Sequence, residues 1–431
     1  MEESLVSRDR YLAEIEPFIG NGNAKVITGI RRCGKSTLLD IYRQNLVDAN
    51  VVYIDTELHK FFRLNDWEKL LSYIESEYRE GTDNVLIVDE IQNIEKWELA
   101  IRDLIARKMF DIYLTGSNAN LLSSEYSTHL GGRYNRIRML PLSYAECKVF
   151  AQRFLPEKDV LDRYMRIGGF PILWITDMSE RSCMQTVRDI TEVILSKDIE
   201  QRFNIRNHVL LRDIYRTILS TIGNYVSSNN ICATIKETGS KTTVDTVNEY
   251  IGHLEAANLI IRASVFDLKG RRILENKHKY YATDLGLKHS LLGYRPEDIS
   301  GHMENILFTE LMYRGYEVYI GDYNGKEIDI VAIKDGSRLY IQACSLIDSR
   351  DTFDREFGNL DKISDSFPKY VVMMEPGVYR GVTETGIICC SLKEFLEMTS
   401  NKNERQTRRG WNARNEKVRH SFSIAKQRNA A

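Results

Sequence analysis

The 431-residue sequence holds no run of about 18 apolar residues, the length a helix needs to cross a bilayer. Its first residues, Met1-Glu-Glu-Ser-Leu-Val, lack the basic segment followed by an apolar one that marks a secretory signal. Neither a membrane partner nor export is expected, and the expected location is cytoplasmic. Cysteine is sparse and scattered: none of the seven, Cys33, Cys147, Cys183, Cys232, Cys344, Cys389 and Cys390, has C-x-x-C spacing. That argues against a zinc site or a disulfide framework and for reduced, mostly buried thiols. Proline is limited to 7 residues, in a composition of 43% hydrophobic and 28% charged residues that suits an ordinary soluble protein. Net charge is also nearly absent, at −2, but it is unevenly spread. Residues 401–431 carry nine Lys/Arg against two Asp/Glu, so the preceding 400 are acidic and the end is a basic tail. A solvated, disordered end is the expectation, with phosphate contacts to nucleic acid as its alternative.

What is present begins at Lys25-Val-Ile-Thr-Gly-Ile-Arg-Arg-Cys-Gly-Lys-Ser-Thr37. An apolar strand breaks into a loop with Gly29 and Gly34, then opens a helix, matching G-x-x-x-x-G-K-[ST]. A triphosphate needs backbone N–H groups aimed at it, glycine conformations where a Cβ would clash, and the positive end of a helix. Lys35 reaches the outer phosphates in such a loop, Ser36 holds Mg²⁺, and Thr37 continues the helix start. ATP and Mg²⁺ are the expected ligands.

After this loop, short apolar runs (Val51–Asp55, Asn84–Glu90, Asp111–Thr115) alternate with amphipathic segments. Strand alternating with helix predicts a parallel sheet covered on both faces, with its ligand at the strands' carboxyl ends. Val85-Leu-Ile-Val-Asp-Glu90 delivers two carboxylates to such an end. Asp89 suits Mg²⁺ through its water shell, and Glu90 suits the orientation or activation of water. The next strand ends in Thr115-Gly-Ser-Asn118. There a hydroxyl or amide can bridge the γ-phosphate and the water, although Gly, Ser and Asn also make an ordinary turn.

The segments GIRRCGKST, NVLIVDEIQNIEKWE, YLTGSNANLL and GGRYNRIRMLPLSYAE together resemble prokaryotic AAA+ class ATPases with an uncharacterised carboxyl-terminal domain. The resemblance reaches to about Met398. It implies an extra strand between the phosphate-loop strand and the acidic strand, and it makes Ser117 or Asn118 the first sensor. It also implies an arginine finger at Arg133, acting in cis or from a neighbouring subunit; an oligomer follows only from the second arrangement. A surface ion pair is the alternative role for Arg133. Arg166-Ile-Gly-Gly-Phe-Pro-Ile172 is similar to the glycine-x-proline hinge of related signalling ATPases, in which Gly169 and Pro171 lie against the nucleotide base. Lys197-Asp198-Ile199 and Arg202 match a family segment whose role the sequence does not reveal.

Helical periodicity continues through Cys147–Phe154, Val160–Ile167 and Met184–Glu200. Next, His208–Ile222, Asn230–Glu237 and Thr242–Ala257 read as helix-turn-helix, and Leu259–Val265 with Lys279–Ala282 reads as a two-stranded wing tipped by Lys269, Arg271 and Arg272. The third helix carries Asp245, Glu249 and Glu255 without Lys or Arg, which favours protein docking over DNA; the basic wing tip keeps DNA as a candidate partner. From Glu304 the order of helix and strands resembles the restriction-endonuclease-like fold. By that resemblance Glu304, Asp329 and Gln342 occupy three places of a metal cage, and Cys344 stands where a lysine belongs. A thiol supplies no fixed positive charge. Lys326 is the nearby candidate to replace it.

The expected fold class is therefore α/β: a parallel-sheet P-loop ATPase core (1–143), a helical lid (144–205), a winged helix (206–296), a smaller, degenerate restriction-endonuclease-like domain (297–398) and a basic tail (399–431). The expected function is Mg-dependent ATP hydrolysis coupled to rearrangement of the carboxyl-terminal domains. An ATP-gated DNA-binding protein or nuclease, and a slow nucleotide-dependent switch for a protein partner, are the alternatives.

Overall fold

The computed structural model describes residues 5–119, 130–156, 158–347 and 350–398. The basic tail lies outside the described residues.

The amino-terminal core is a five-stranded sheet of β1 (Ala24–Thr28), β2 (Asn50–Asp55), β3 (Asn84–Asp89), β4 (Asp111–Gly116) and β5 (Tyr134–Arg138), in the order β2-β3-β4-β1-β5. Every pairing is parallel. β4 thus lies between the phosphate-loop strand and the acidic strand, as the resemblance implied. β1 and β3 are buried at every residue because helices cover both faces, which is why their sequences read as almost unbroken apolar runs. The helices are α1 (Asp9–Ile15), α2 (Lys35–Gln44), α3 (Trp67–Ser76) and α4 (Trp97–Arg107). Arg8, just before α1, is buried; its guanidinium donates to the carbonyls of Cys33 and Leu140 at 2.9 Å each and to Glu146 at 2.6 Å. It fastens the chain's start beneath the phosphate loop.

Three helices follow the core: α5 (Tyr144–Phe154), α6 (Val160–Ile167) and α7 (Glu180–Val193). Ser143 and Glu146 make a reciprocal capping box that starts α5. α7 runs on into a π-helical segment, Ile194–Gln201. Such widened turns gather at functional sites.

Helices α8 (His208–Ser220), α9 (Ser228–Glu237) and α10 (Val244–Ala256) follow, then the hairpin of β6 (Ile260–Asp267) and β7 (Arg272–Ala282). This hairpin is not a free wing. β6 pairs in parallel with β8 (Glu317–Tyr323), giving an eight-stranded sheet in the order β12-β13-β11-β10-β9-β8-β6-β7. The other strands are β9 (Lys326–Lys334), β10 (Ser337–Cys344), β11 (Lys369–Met373), β12 (Gly381–Val382) and β13 (Ile388–Ser391). A boundary at 296/297 therefore cuts through one continuous sheet. Helices α11 (Leu285–Leu292) and α12 (Ile299–Tyr313) connect β7 to β8, and α13 (Arg350–Asp361) and α14 (Leu392–Glu397) complete the chain.

Among the described residues no helix is long and apolar enough to cross a membrane. All seven cysteines are free and buried.

Candidate functional site

The loop from Gly29 to Gly34 is shaped by close packing. A Cβ on Gly29 would sit 2.1 Å from the carbonyl oxygen of Met139, and Gly34 precedes α2 with φ of 104°, a left-handed conformation that glycine adopts at little cost. α2 thus starts at Lys35 with its first N–H groups facing the loop. Lys35 is 3% exposed; its Nζ donates to the Gly29 carbonyl at 3.0 Å and lies 3.3 Å from Oε1 of Glu90. Burial opposes its charge, but Glu90, Cys33 and Asp89 outweigh that and hold the ammonium above its usual pKa.

Asp89 closes β3. It accepts hydrogen bonds from Ser36 and Thr115, while burial pushes it above the ordinary carboxylate range. A hydroxyl and a desolvated carboxylate in contact are hard oxygen donors, the set that Mg²⁺ takes alongside phosphate oxygens and water. The residues present fit that ion.

Glu90 turns out of the strand at φ of 53°, held by its N–H donating 2.9 Å to the Thr115 hydroxyl. Burial would raise its pKa; Lys35, Gln92 and Arg31 overcome that and leave it below the usual carboxylate range. The Ser117 N–H donates to Glu90 at 3.2 Å, so the end of β4 touches the acidic pair directly. Asn118 is buried beside it.

A cleft of about 1160 Å³ opens at this edge, with Arg31, Arg32, Thr56 and Gln92 on the core side and Ile172 and Asp198 from the helical segments that follow. Arg31 spans it. Its guanidinium donates to both carboxylate oxygens of Asp198 at 3.2 Å and to Glu57 at 2.8 Å. These bonds join the π-helical segment Ile194–Gln201, which contains Lys197-Asp198-Ile199, to the phosphate loop. On the same side Pro171 packs beside Gly34. The Gly169 carbonyl accepts from the Leu142 N–H at 2.7 Å, and its N–H donates to Asp284 at 2.6 Å. The glycine-proline element thus borders the phosphate loop.

A second tether joins the site to the following domain. Asn258, 2% exposed at the turn after α10, donates to the Ser117 carbonyl at 3.0 Å across 141 residues of sequence.

Residues 21–148 match the family model of an AAA domain, and residues 158–298 match that of a domain of unknown function (DUF8612). An uncharacterized protein of Haemophilus influenzae is 31% identical over 382 residues, which cover 86% of this chain and 94% of that protein. The chain belongs to that protein's family. The uncharacterized protein MJ1544 of Methanocaldococcus jannaschii is 27% identical over 348 residues, 77% of this chain and 76% of its own. Among solved structures, the Walker-type ATPase PABY2304 of Pyrococcus abyssi overlaps 66% of this chain and 94% of its own at 16% identity with a TM-score of 0.47, a likeness too loose to argue from. The AAA domain, with the phosphate loop and acidic pair just described, is of the P-loop ATPase type.

Arg133 does not join the other residues of the AAA domain's site. It is exposed just before β5, with its carbonyl accepting from the Ala24 N–H at 3.1 Å. β1 and β5 run in parallel from Ala24↔Tyr134 to Thr28↔Arg138, so Arg133 stands at the end of the sheet opposite the phosphate loop. Five residues of strand at about 3.3 Å each separate them.

The carboxyl-terminal trio does converge. Gln342 on β10 accepts from the Asp329 N–H at 2.8 Å, and Asp329 accepts from the Ala343 N–H at 2.8 Å. Glu304 on α12 faces them. The cation among these carboxylates is Lys279 of β7, 2% exposed, bonded to Glu304 at 2.9 Å and Glu327 at 2.6 Å. Lys326, the candidate from sequence, is exposed at the start of β9 and does not take that place. Cys344 donates to the Leu346 carbonyl at 3.1 Å, and burial pushes its thiol up to about 11, so it contributes no charge. Among the described residues no group of three or more His, Cys, Asp or Glu is arranged to hold a metal ion.

Asp284 supplies a pH handle on its contact with Gly169. Burial raises its carboxyl to about 6, against the pull of the Gly169 and Gly286 N–H groups. The folded state therefore holds the proton more tightly than the unfolded chain, whose carboxyl titrates near 4. This group's contribution to stability is complete below about pH 4 and is lost as pH rises through 6. Asp284→Asn should flatten that fall in a series of urea midpoints from pH 4.5 to 7.5, whereas an unchanged slope would show that Asp284 does not titrate there.

Proposed function

We propose that this protein binds Mg-ATP across Gly29–Thr37 and hydrolyses it, and that nucleotide state alters how the lid and the carboxyl-terminal domains sit on the AAA domain. One observation carries the reading: Lys35, Ser36, Asp89 and Glu90 meet at one sheet edge beside a cleft large enough for a nucleotide. Lys35 leaves its loop carbonyl for the outer phosphates. Ser36 and Asp89 hold Mg²⁺, which supplies positive charge against the phosphates. Glu90, kept ionised, takes the proton of the attacking water. Ser117 or Asn118 senses the γ-phosphate from the end of β4. Arg133, if it acts on a nucleotide, acts on that of a neighbouring copy.

Two tethers support the coupling. Arg31 joins the loop to Asp198 of the lid, and Asn258 joins Ser117 to the domain that follows. The nuclease alternative draws on Glu304, Asp329 and Gln342, but the buried ammonium of Lys279 is already paired with Glu304. For DNA binding there is the exposed turn of Lys269, Arg271 and Arg272; against it stands the acidic exposed face of α10, with Asp245 and Glu249.

Phosphate release from ATP tests the reading. Turnover that needs Mg²⁺ and falls to background in Lys35→Ala is expected; turnover of equal rate in the variant would place the reaction elsewhere.

A further inference from the structure

Gln92 lies two residues beyond the acidic pair, on the short turn Ile91–Asn93, and lines the cleft. Its amide nitrogen donates to Oε2 of Glu90 and, at 3.3 Å, to the Ser117 hydroxyl. Because a carboxylate only accepts, the nitrogen must be the atom that faces Glu90. The amide oxygen then points elsewhere, and it is buried without a hydrogen-bond partner. A buried acceptor left unsatisfied is costly, so such an atom calls for an explanation in ligand or solvent.

We infer that Gln92 is a positioning residue for ATP hydrolysis: its amide nitrogen fixes Glu90 against Ser117, and its amide oxygen accepts a hydrogen bond from the attacking water. This rests on the ATPase reading above and assigns a further residue to it. The water's oxygen forms a bond to the γ-phosphorus as the bond from that phosphorus to the β–γ bridging oxygen breaks. The bonding electrons leave on the ADP oxygen, and the water's proton passes to Glu90. Gln92 exchanges no proton; it holds two of the participants in line. Orientation of this kind acts on the chemical step and little on the binding of substrate. Gln92 touches neither Lys35 nor Ser36 by any hydrogen bond described here, which is why the two effects separate.

Steady-state ATPase kinetics on the full chain test this with Gln92→Glu and Gln92→Ala. The first keeps the shape and loses the amide donor; the second loses both. Both variants should lower kcat at least tenfold with KM for Mg-ATP within about threefold of wild type, a range typical of lost orientation. Gln92→Asn, which retains the amide on a shorter stem, should recover part of kcat. Wild-type kcat in Gln92→Glu would overturn the inference, as would a loss carried wholly by KM. If Gln92→Ala fails to fold, the isosteric Gln92→Glu decides alone. A wild-type protein that does not hydrolyse ATP at all would instead count against the ATPase reading.

Discussion

Glu90→Gln lowers kcat for ATP hydrolysis by about 10²–10⁴-fold, the range expected when a general base is removed, while Mg-ATP affinity stays within a few-fold of wild type. The reason is that Glu90 is 7% exposed and still ionised. Burial works against the charge; Lys35 at 3.3 Å, the Gln92 amide and the Arg31 guanidinium more than offset it. Glutamine keeps the side chain's shape and can still accept from the Ser117 N–H, so the site's packing survives. It cannot take a proton from water. Steady-state phosphate release at saturating Mg-ATP gives kcat, and a nucleotide titration gives affinity. A variant that turns over within threefold of wild type would mean that another group activates the water.

The second large effect concerns stability. Lys279→Met should destabilise the protein by about 3–5 kcal/mol at neutral pH, the usual result of leaving buried charge unpaired. Lys279 stands among Glu304, Glu327 and Asp329 and bonds the first two. Methionine keeps most of its stem but leaves Glu304 and Asp329 without a cation in an interior where burial already raises both carboxyls above their usual range. Lowering the pH protonates them and should shrink the penalty. A Lys279→Met/Glu304→Gln double variant should recover part of the loss, since it removes the stranded charge along with its partner. Urea denaturation of these three proteins, wild type and the two variants, at pH 7.5 and pH 5.5 measures this. Equal midpoints for Lys279→Met and wild type would contradict a stabilising role for the Lys279 ammonium among these carboxylates.

The parts of the site that were legible in the sequence are those whose chemistry is local. Gly29, Gly34, Lys35 and Ser36 are adjacent in one motif, and Asp89-Glu90 follow an apolar strand whose end could only be a sheet edge. The place of β4 between the phosphate-loop strand and the acidic strand also followed from the resemblance. What could not be read depends on pairs far apart in the chain. Arg31 and Asp198 are separated by 167 residues, and Asn258 and Ser117 by 141. Neither side chain of a pair has a visible partner in the sequence; the fold alone brings the two together. Lys279 was hidden for another reason. Its strand looked like the second half of an isolated wing, and only the parallel pairing of β6 with β8 carries β7 into the carboxyl-terminal sheet, where the lysine meets Glu304. Arg133 was placed by the resemblance just before the last core strand, acting in cis or from a neighbouring subunit; that strand begins at the end of the sheet away from the phosphate loop. Gln92 lay in view, two residues from Glu90. Its bond to Ser117, on the neighbouring strand's end, was the missing signal.

The central claim is that the loop from Gly29 to Thr37 holds the phosphates of Mg-ATP through Lys35. Equilibrium titration of wild type and Lys35→Ala with a fluorescent ATP analogue in the presence of Mg²⁺ tests it most directly. Saturable binding by wild type, weakened at least 100-fold in the variant while its folded spectrum is retained, is the predicted result; equal affinity in the two proteins would contradict it.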